Sequence, residues 1–121
     1  MAPHHGHRSP WPYPEDDVAY QLIALYHHPD DAAAFDRYYD GTHAVLAATL
    51  PGLRSYTACR PGPGADGNKP AYHLVAVLTW DSEEGFQAAL ASPEGQKTVA
   101  DLANFAGAGV EMLTGPDRAH V

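Results

Sequence analysis

The chain has 121 residues, 45% hydrophobic and 18% charged, with a formal net charge of −8. That size allows one domain with its own core, and the acidic balance excludes the phosphate-neutralising surface that nucleic acid or an anionic membrane requires. No run approaches the roughly 18 apolar residues of a membrane helix, the first residues lack a signal peptide's apolar core, and the lone Cys59 rules out an internal disulfide and suits a reducing cytoplasm.

Residues 1–17 hold three histidines and four prolines without a hydrophobic period, which predicts a flexible or extended arm. Pro3 removes the amide that an amino-terminal copper site would use, so His4, His5 and His7 offer only weak nickel or zinc binding. The domain itself is expected over 18–115, with a loose tail at 116–121. Val18–Tyr26 is apolar and β-rich, the first strand, with Tyr20, Leu22, Ala24 and Tyr26 on one face and Gln21, Ile23 and Leu25 on the other. Both faces are largely apolar, so both need a cover.

Asp30 or Asp31 can cap the following helix. From Phe35 onward, a period of 100° per residue places Phe35, Tyr39, Thr42, Leu46 and Leu50 on one stripe, with Asp36, Arg37 and Asp40 opposite. His43 falls at the edge of that stripe, one turn after Tyr39. It is either a packed or solvated imidazole or a proton-transfer group at the rim of a buried face. Gly41 predicts an irregular turn nearby, and Pro51-Gly52 stops the helix.

Leu53–Arg60 reads as a second strand containing Cys59, and residues 61–68 as an exposed loop whose glycines match no phosphate-binding pattern. Ala71–Trp80 is the third strand, with Leu74, Ala76, Leu78 and Trp80 toward the helices and His73, Val75, Val77 and Thr79 on the other face. Asp81 and Glu84 form a capping box for a helix that Ser92-Pro93 restarts and that ends near Leu102. Gly109–Thr114 is the last short strand. The order β-α-β-β-α-β is that of a ferredoxin-like α+β plait with a four-stranded antiparallel sheet.

The string Phe35-x-x-Tyr38-Tyr39-x-x-Thr42-His43, followed by Leu50-Pro51-Gly52-Leu53-x-x-Tyr56, resembles the EthD family of the dimeric α/β-barrel (ferredoxin-like) superfamily. The resemblance continues in Ala91–Gln96 and Asp101–Ala106 and covers about residues 20–114. It departs at Val45, where the family often has proline, so the helix can run past His43. It implies a homodimer closing two sheets into a barrel, with a pocket in each subunit lined by the helix histidine, here His43.

Faces and spacing add Tyr39 beside His43 as the catalytic pair. They also give His73, Asn104, Phe105, Gln21 and Thr79 as substrate-binding candidates. With no cofactor or metal motif, such a pocket suits acid–base chemistry on an already acidic aromatic, polyketide-like or lactone-like molecule. Cyclisation, dehydration, decarboxylation and isomerisation all fit. The alternatives are a non-catalytic binding protein of a degradation or secondary-metabolic pathway, and a haem-handling protein using a histidine as axial ligand.

Overall fold

The computed structural model describes residues 19–121; the arm expected over 1–17 lies outside them. The elements are β1 (Ala19–Tyr26), α1 (Ala32–Tyr38), a π turn (Tyr39–His43), α2 (Ala44–Ala47), β2 (Ser55–Cys59), β3 (Leu74–Trp80), α3 (Glu83–Ala91), α4 (Pro93–Phe105) and β4 (Val110–Asp117). The strands form one antiparallel sheet in the order β2-β3-β1-β4. This is the ferredoxin-like plait, with the described helices on one face.

Register decides which residues meet the helices. Tyr20 lies opposite Trp80, Leu22 opposite Leu78, Ala24 opposite Ala76 and Tyr26 opposite Leu74. Paired residues share a face, so these eight form the floor of the core. Tyr56 joins them through Leu78, and Met112 through Ala24. Trp80 and Leu74 have no exposed surface, and each such side chain contributes about 1.5–3 kcal/mol through burial. The Trp80 indole avoids an unpaired donor by donating to the Pro51 carbonyl at 3.0 Å.

Helix starts follow local side-chain chemistry. Asp31 caps α1 by accepting from the Ala34 amide at 3.0 Å. The cap of α3 is Ser82, not Asp81: the Ser82 hydroxyl accepts from the Gly85 amide at 3.0 Å. The Asp81–Glu84 box expected from sequence therefore gives way to a hydroxyl one residue later, while Asp81 stays exposed. Ser92 caps α4 through the Gly95 amide, with Pro93 at the first helical position. This helix continues to Phe105, past the expected end at Leu102, and β4 extends to Asp117, which pairs with Ala19.

The π turn reorganises the central helix. The Ala44 amide donates to the Tyr39 carbonyl, five residues back, so one extra residue is absorbed into that turn. The buried positions become Phe35, Tyr39, His43, Ala47 and Leu50. A strict spacing of four drifts by about 40° per step on a regular helix at 100° per residue, and the wider turn takes up the drift. Thr42, expected on the apolar stripe, is exposed, Leu46 is half-buried, and His43 moves from the edge to the inside. The helix does run past His43, as Val45 in place of proline allows.

Candidate active site

His43 is 4% exposed. Its Nδ1 lies 2.9 Å from Oδ2 of Asp101, a buried carboxylate on α4. The other carboxylate oxygen, Oδ1, accepts from the Tyr38 hydroxyl at 2.6 Å and from the Asn104 amide at 2.9 Å. The Phe105 ring packs on the imidazole with centroids 4.6 Å apart, and Tyr39 packs on it from its own helix at 5.5 Å. Nε2 has no hydrogen-bond partner among the described residues.

Burial, the larger influence, pushes the His43 pKa below its ordinary value, against the hydrogen bond and charge of Asp101, which raise it. Asp101 behaves oppositely. Burial would raise its pKa, but the hydrogen bonds from Tyr38, Asn104 and His43 together hold it below the usual carboxylate range. The pair at neutral pH is therefore a neutral imidazole donating from Nδ1 to a carboxylate, which leaves the Nε2 lone pair available as a base.

His43 lines a cavity of about 40 Å³ between sheet and helices, and so do Tyr39 and Tyr56. The hydroxyls of these two tyrosines are hydrogen-bonded to each other. Burial, first among the causes, raises both pKa values, so both phenols keep their protons. One of the two hydroxyl protons is spent on the pair; the other is free to reach an oxygen in the cavity. Every remaining lining residue except Thr98 and the Tyr26 phenol is an aliphatic side chain, and none is charged. The mouth is marked by Val99 and Met112, 54% and 43% exposed. Pockets for drug-sized ligands run to about 300–1,000 Å³, so a ring-sized substrate enters only with a change of rotamer at Leu22, Leu90, Val99 or Met112. A haem, one of the groups the superfamily resemblance implies, does not fit this space.

The sequence-derived candidates separate into three places. Tyr39 and His43 meet at the cavity. Phe105 and Asn104 stand behind it, lining an open depression of about 590 Å³ together with Tyr38, so they contact the His43–Asp101 pair and not the cavity. Gln21 and Thr79 are directly paired and lie on the opposite face of the sheet, because their neighbours Leu22 and Leu78 point to the helices. His73 is also outside the cavity. Its Nε2 lies 2.9 Å from Asp36, which also receives Arg60 at 3.0 Å, and its ring packs edge-on to Phe35. It precedes β3, where strand alternation no longer sets its direction.

Sequence reasoning missed Asp101 and Tyr56. Thr98, Asp101, Leu102 and Phe105 follow the i, i+3, i+4, i+7 spacing of a core-facing stripe, so an acidic residue stood where an apolar one was due. That signal was hidden by ending the helix at Leu102. Tyr56 alternates onto the helix face of β2 beside Leu78.

A four-stranded plait holding a buried imidazole–carboxylate pair over an apolar cavity defines a ferredoxin-like protein of the type found in the dimeric α/β-barrel superfamily. The EthD domain profile matches residues 27–109. An uncharacterized 11.0 kDa protein in the thcB–thcC intergenic region of Rhodococcus erythropolis is 40% identical over 94 residues, 78% of this chain and 90% of that protein. The chain belongs to the EthD family. A crystal structure of an ethyl tert-butyl ether D (EthD) family protein from Bacillus halodurans C-125 superposes with a TM-score of 0.78 at 33% identity, covering 82% of this chain and 98% of that one. SnoaB, a cofactor-independent oxygenase from Streptomyces nogalater, shares the fold at a TM-score of 0.55 and 20% identity, over 88% of this chain and 95% of its own.

Proposed function

We propose that this protein is a homodimeric enzyme that works without a cofactor, using His43 to remove a proton from an uncharged, acidic carbonyl compound of the aromatic, polyketide-like or lactone-like class. The observation that carries this reading is the buried Nδ1–Asp101 hydrogen bond, which leaves Nε2 unpartnered on a residue lining the cavity. A base of this kind needs a stabiliser for the charge that develops on the substrate oxygen. The Tyr39–Tyr56 pair supplies a hydroxyl proton in the same cavity. The absence of charged lining residues disfavours phosphate- or carboxylate-bearing substrates, whose desolvation nothing there would offset. The fold shared with SnoaB is consistent with cofactor-independent chemistry.

Proton removal can be tested before the full reaction is known. A panel of uncharged aromatic 1,3-dicarbonyl compounds and lactones is incubated with the protein in deuterium oxide, and exchange at the acidic C–H is followed by NMR. Wild-type protein is expected to accelerate exchange of at least one compound. His43→Ala should lose about 10²- to 10⁴-fold of that rate while melting and assembly change little. Equal exchange by His43→Ala and wild type removes His43 as the base. Binding without exchange across the panel favours the non-catalytic accessory role instead.

A further inference from the structure

The Asp101 carboxylate has three donors, and they are not shared evenly. Tyr38 and Asn104 both reach Oδ1, at 2.6 and 2.9 Å, while Oδ2 is left to His43 alone. Tyr38 stands on the last residue of α1, immediately before the π turn, and Asn104 stands one turn after Asp101 on α4. Neither lines the cavity that holds His43; both line the open depression on the other side of the pair. They reach the carboxylate from behind, where a substrate in the cavity cannot touch them.

We propose that Tyr38 and Asn104 are positioning residues: by occupying Oδ1 they fix the rotation of the Asp101 carboxylate, keep Oδ2 on His43 Nδ1, and so hold the imidazole in the tautomer that carries its proton on Nδ1. The terminal torsion of an aspartate is broad and roughly two-fold, so the carboxylate has no rotational preference strong enough to hold that orientation by itself. A carboxylate with an open side toward the depression would turn to solvent there. His43 Nδ1 would then lose its acceptor, and nothing else in its surroundings would choose between the two ring nitrogens. The groups facing this pair are Tyr39 from its own helix, Tyr56 from β2, Tyr26 from β1 and Tyr38 from α1. Their phenols are kept neutral, so Asp101 is the charged group in direct contact with the ring. This inference rests on His43 as the base, but its test requires no substrate.

The test is the ring-nitrogen state of His43, read by two-bond proton–nitrogen correlation in full-length protein carrying labelled histidine. Wild-type protein is expected to show Nδ1–H and a bare Nε2. Asp101→Asn is the decisive variant. If Tyr38 and Asn104 go on donating as they do to the carboxylate, the carboxamide oxygen faces them, its amide N–H faces Nδ1, and the imidazole carries its proton on Nε2. Adding Tyr38→Phe and Asn104→Ala frees the carboxamide to turn over, and the Nδ1–H form should recover several-fold. An unchanged tautomer in Asp101→Asn, or no recovery in the triple variant, overturns the positioning role even if wild-type protein exchanges substrate protons. Conversely, Nε2–H in wild-type protein sinks the base assignment itself. If Asp101→Asn does not fold, the single variants Tyr38→Phe and Asn104→Ala carry the test: each should raise the Nε2–H fraction, and a single unaltered Nδ1–H tautomer in both would refute the proposal. A purely structural role would shift melting and leave the tautomer untouched.

Discussion

His43 has an apolar surround and one charged neighbour, and the two act in opposite directions on its proton. Burial lowers the pKa and Asp101 raises it, with burial the larger. The acid limb of the pH–rate profile should consequently lie below the ordinary imidazole range, and the His43 ring titration followed by NMR should move lower still in Asp101→Asn, since the carboxylate's upward pull is gone. An acid limb at or above the free-imidazole value would contradict this balance. Stability follows the same protons. In the window between the lowered folded pKa of His43 and its ordinary value, the unfolded chain binds a proton that the folded chain does not, so stability falls as pH drops through that window. Asp101 adds a second loss at lower pH, from its ordinary value down to its depressed folded value. Chemical denaturation at pH 7, 5 and 3 should show two successive decreases, the second smaller in Asp101→Asn, where Asp36, whose carboxyl is held low by His73 and Arg60 despite its partial burial, still contributes. At this scale the sequence placed Tyr39 on the apolar stripe and His43 only at its edge, the π turn bringing His43 inside. It did not carry the partner of His43, 58 residues away, because a contact of that separation leaves no local period.

Among the elements, the strands and their faces were legible and the helix ends were not. Alternation in β1 and β3 separates the row Leu74, Ala76, Leu78 and Trp80 from Val75, Val77 and Thr79, and the row that ends in Trp80 is the one packed in the core beneath the helices. Helix ends depend on which of several polar residues captures an amide, and Ser82 displacing Asp81 shows how little separates the choices. The π turn was visible only as a warning at Gly41, a residue with open space where a Cβ would stand. Gly95 is the contrasting case. A Cβ there would run into the carbonyl oxygens of Ala89 and Leu90 at the junction of α3 and α4. These are backbone atoms and cannot swing aside, and the junction also carries the Ser92 hydroxyl bonds that start α4. Gly95→Ala is therefore expected to destabilise the fold by about 1–3 kcal/mol, as overpacking does, and to disturb His43 indirectly by shifting the helix that bears Asp101. A melting temperature equal to wild type would show that the two helices can separate at no cost.

For the molecule as a whole, the unresolved element of the design is the second face of its sheet. None of the described helices is long and apolar enough to cross a membrane, and all of them lie against the face bearing Trp80. The opposite face carries Ile23, Leu25, Val75 and Val77 at its centre, with Leu113 54% exposed beside Ile23 and the Cys59 thiol exposed beside Val75. An apolar row spanning three adjacent strands, flanked by Gln21, Thr79 and Thr57, is costly to leave in water. The sequence already placed apolar residues on both faces of β1 and β3, and among the described residues no helix or strand layer covers the second of those faces. We propose that a second copy covers it, as the EthD resemblance implies, so that Gln21 and Thr79 belong to the interface and not to the substrate cavity. Sedimentation at micromolar concentration should give twice the 13.0 kDa chain mass. Val77→Arg places a charge at the centre of the covered row opposite Ile23, where its burial without a partner would cost several kcal/mol. That variant should sediment as a monomer and still hold the His43–Asp101 pair, which lies on the far side of the sheet. The wild-type chain sedimenting as a monomer would refute the second copy as the cover of this face, and a dimer undisturbed by Val77→Arg would place the contact elsewhere on the surface.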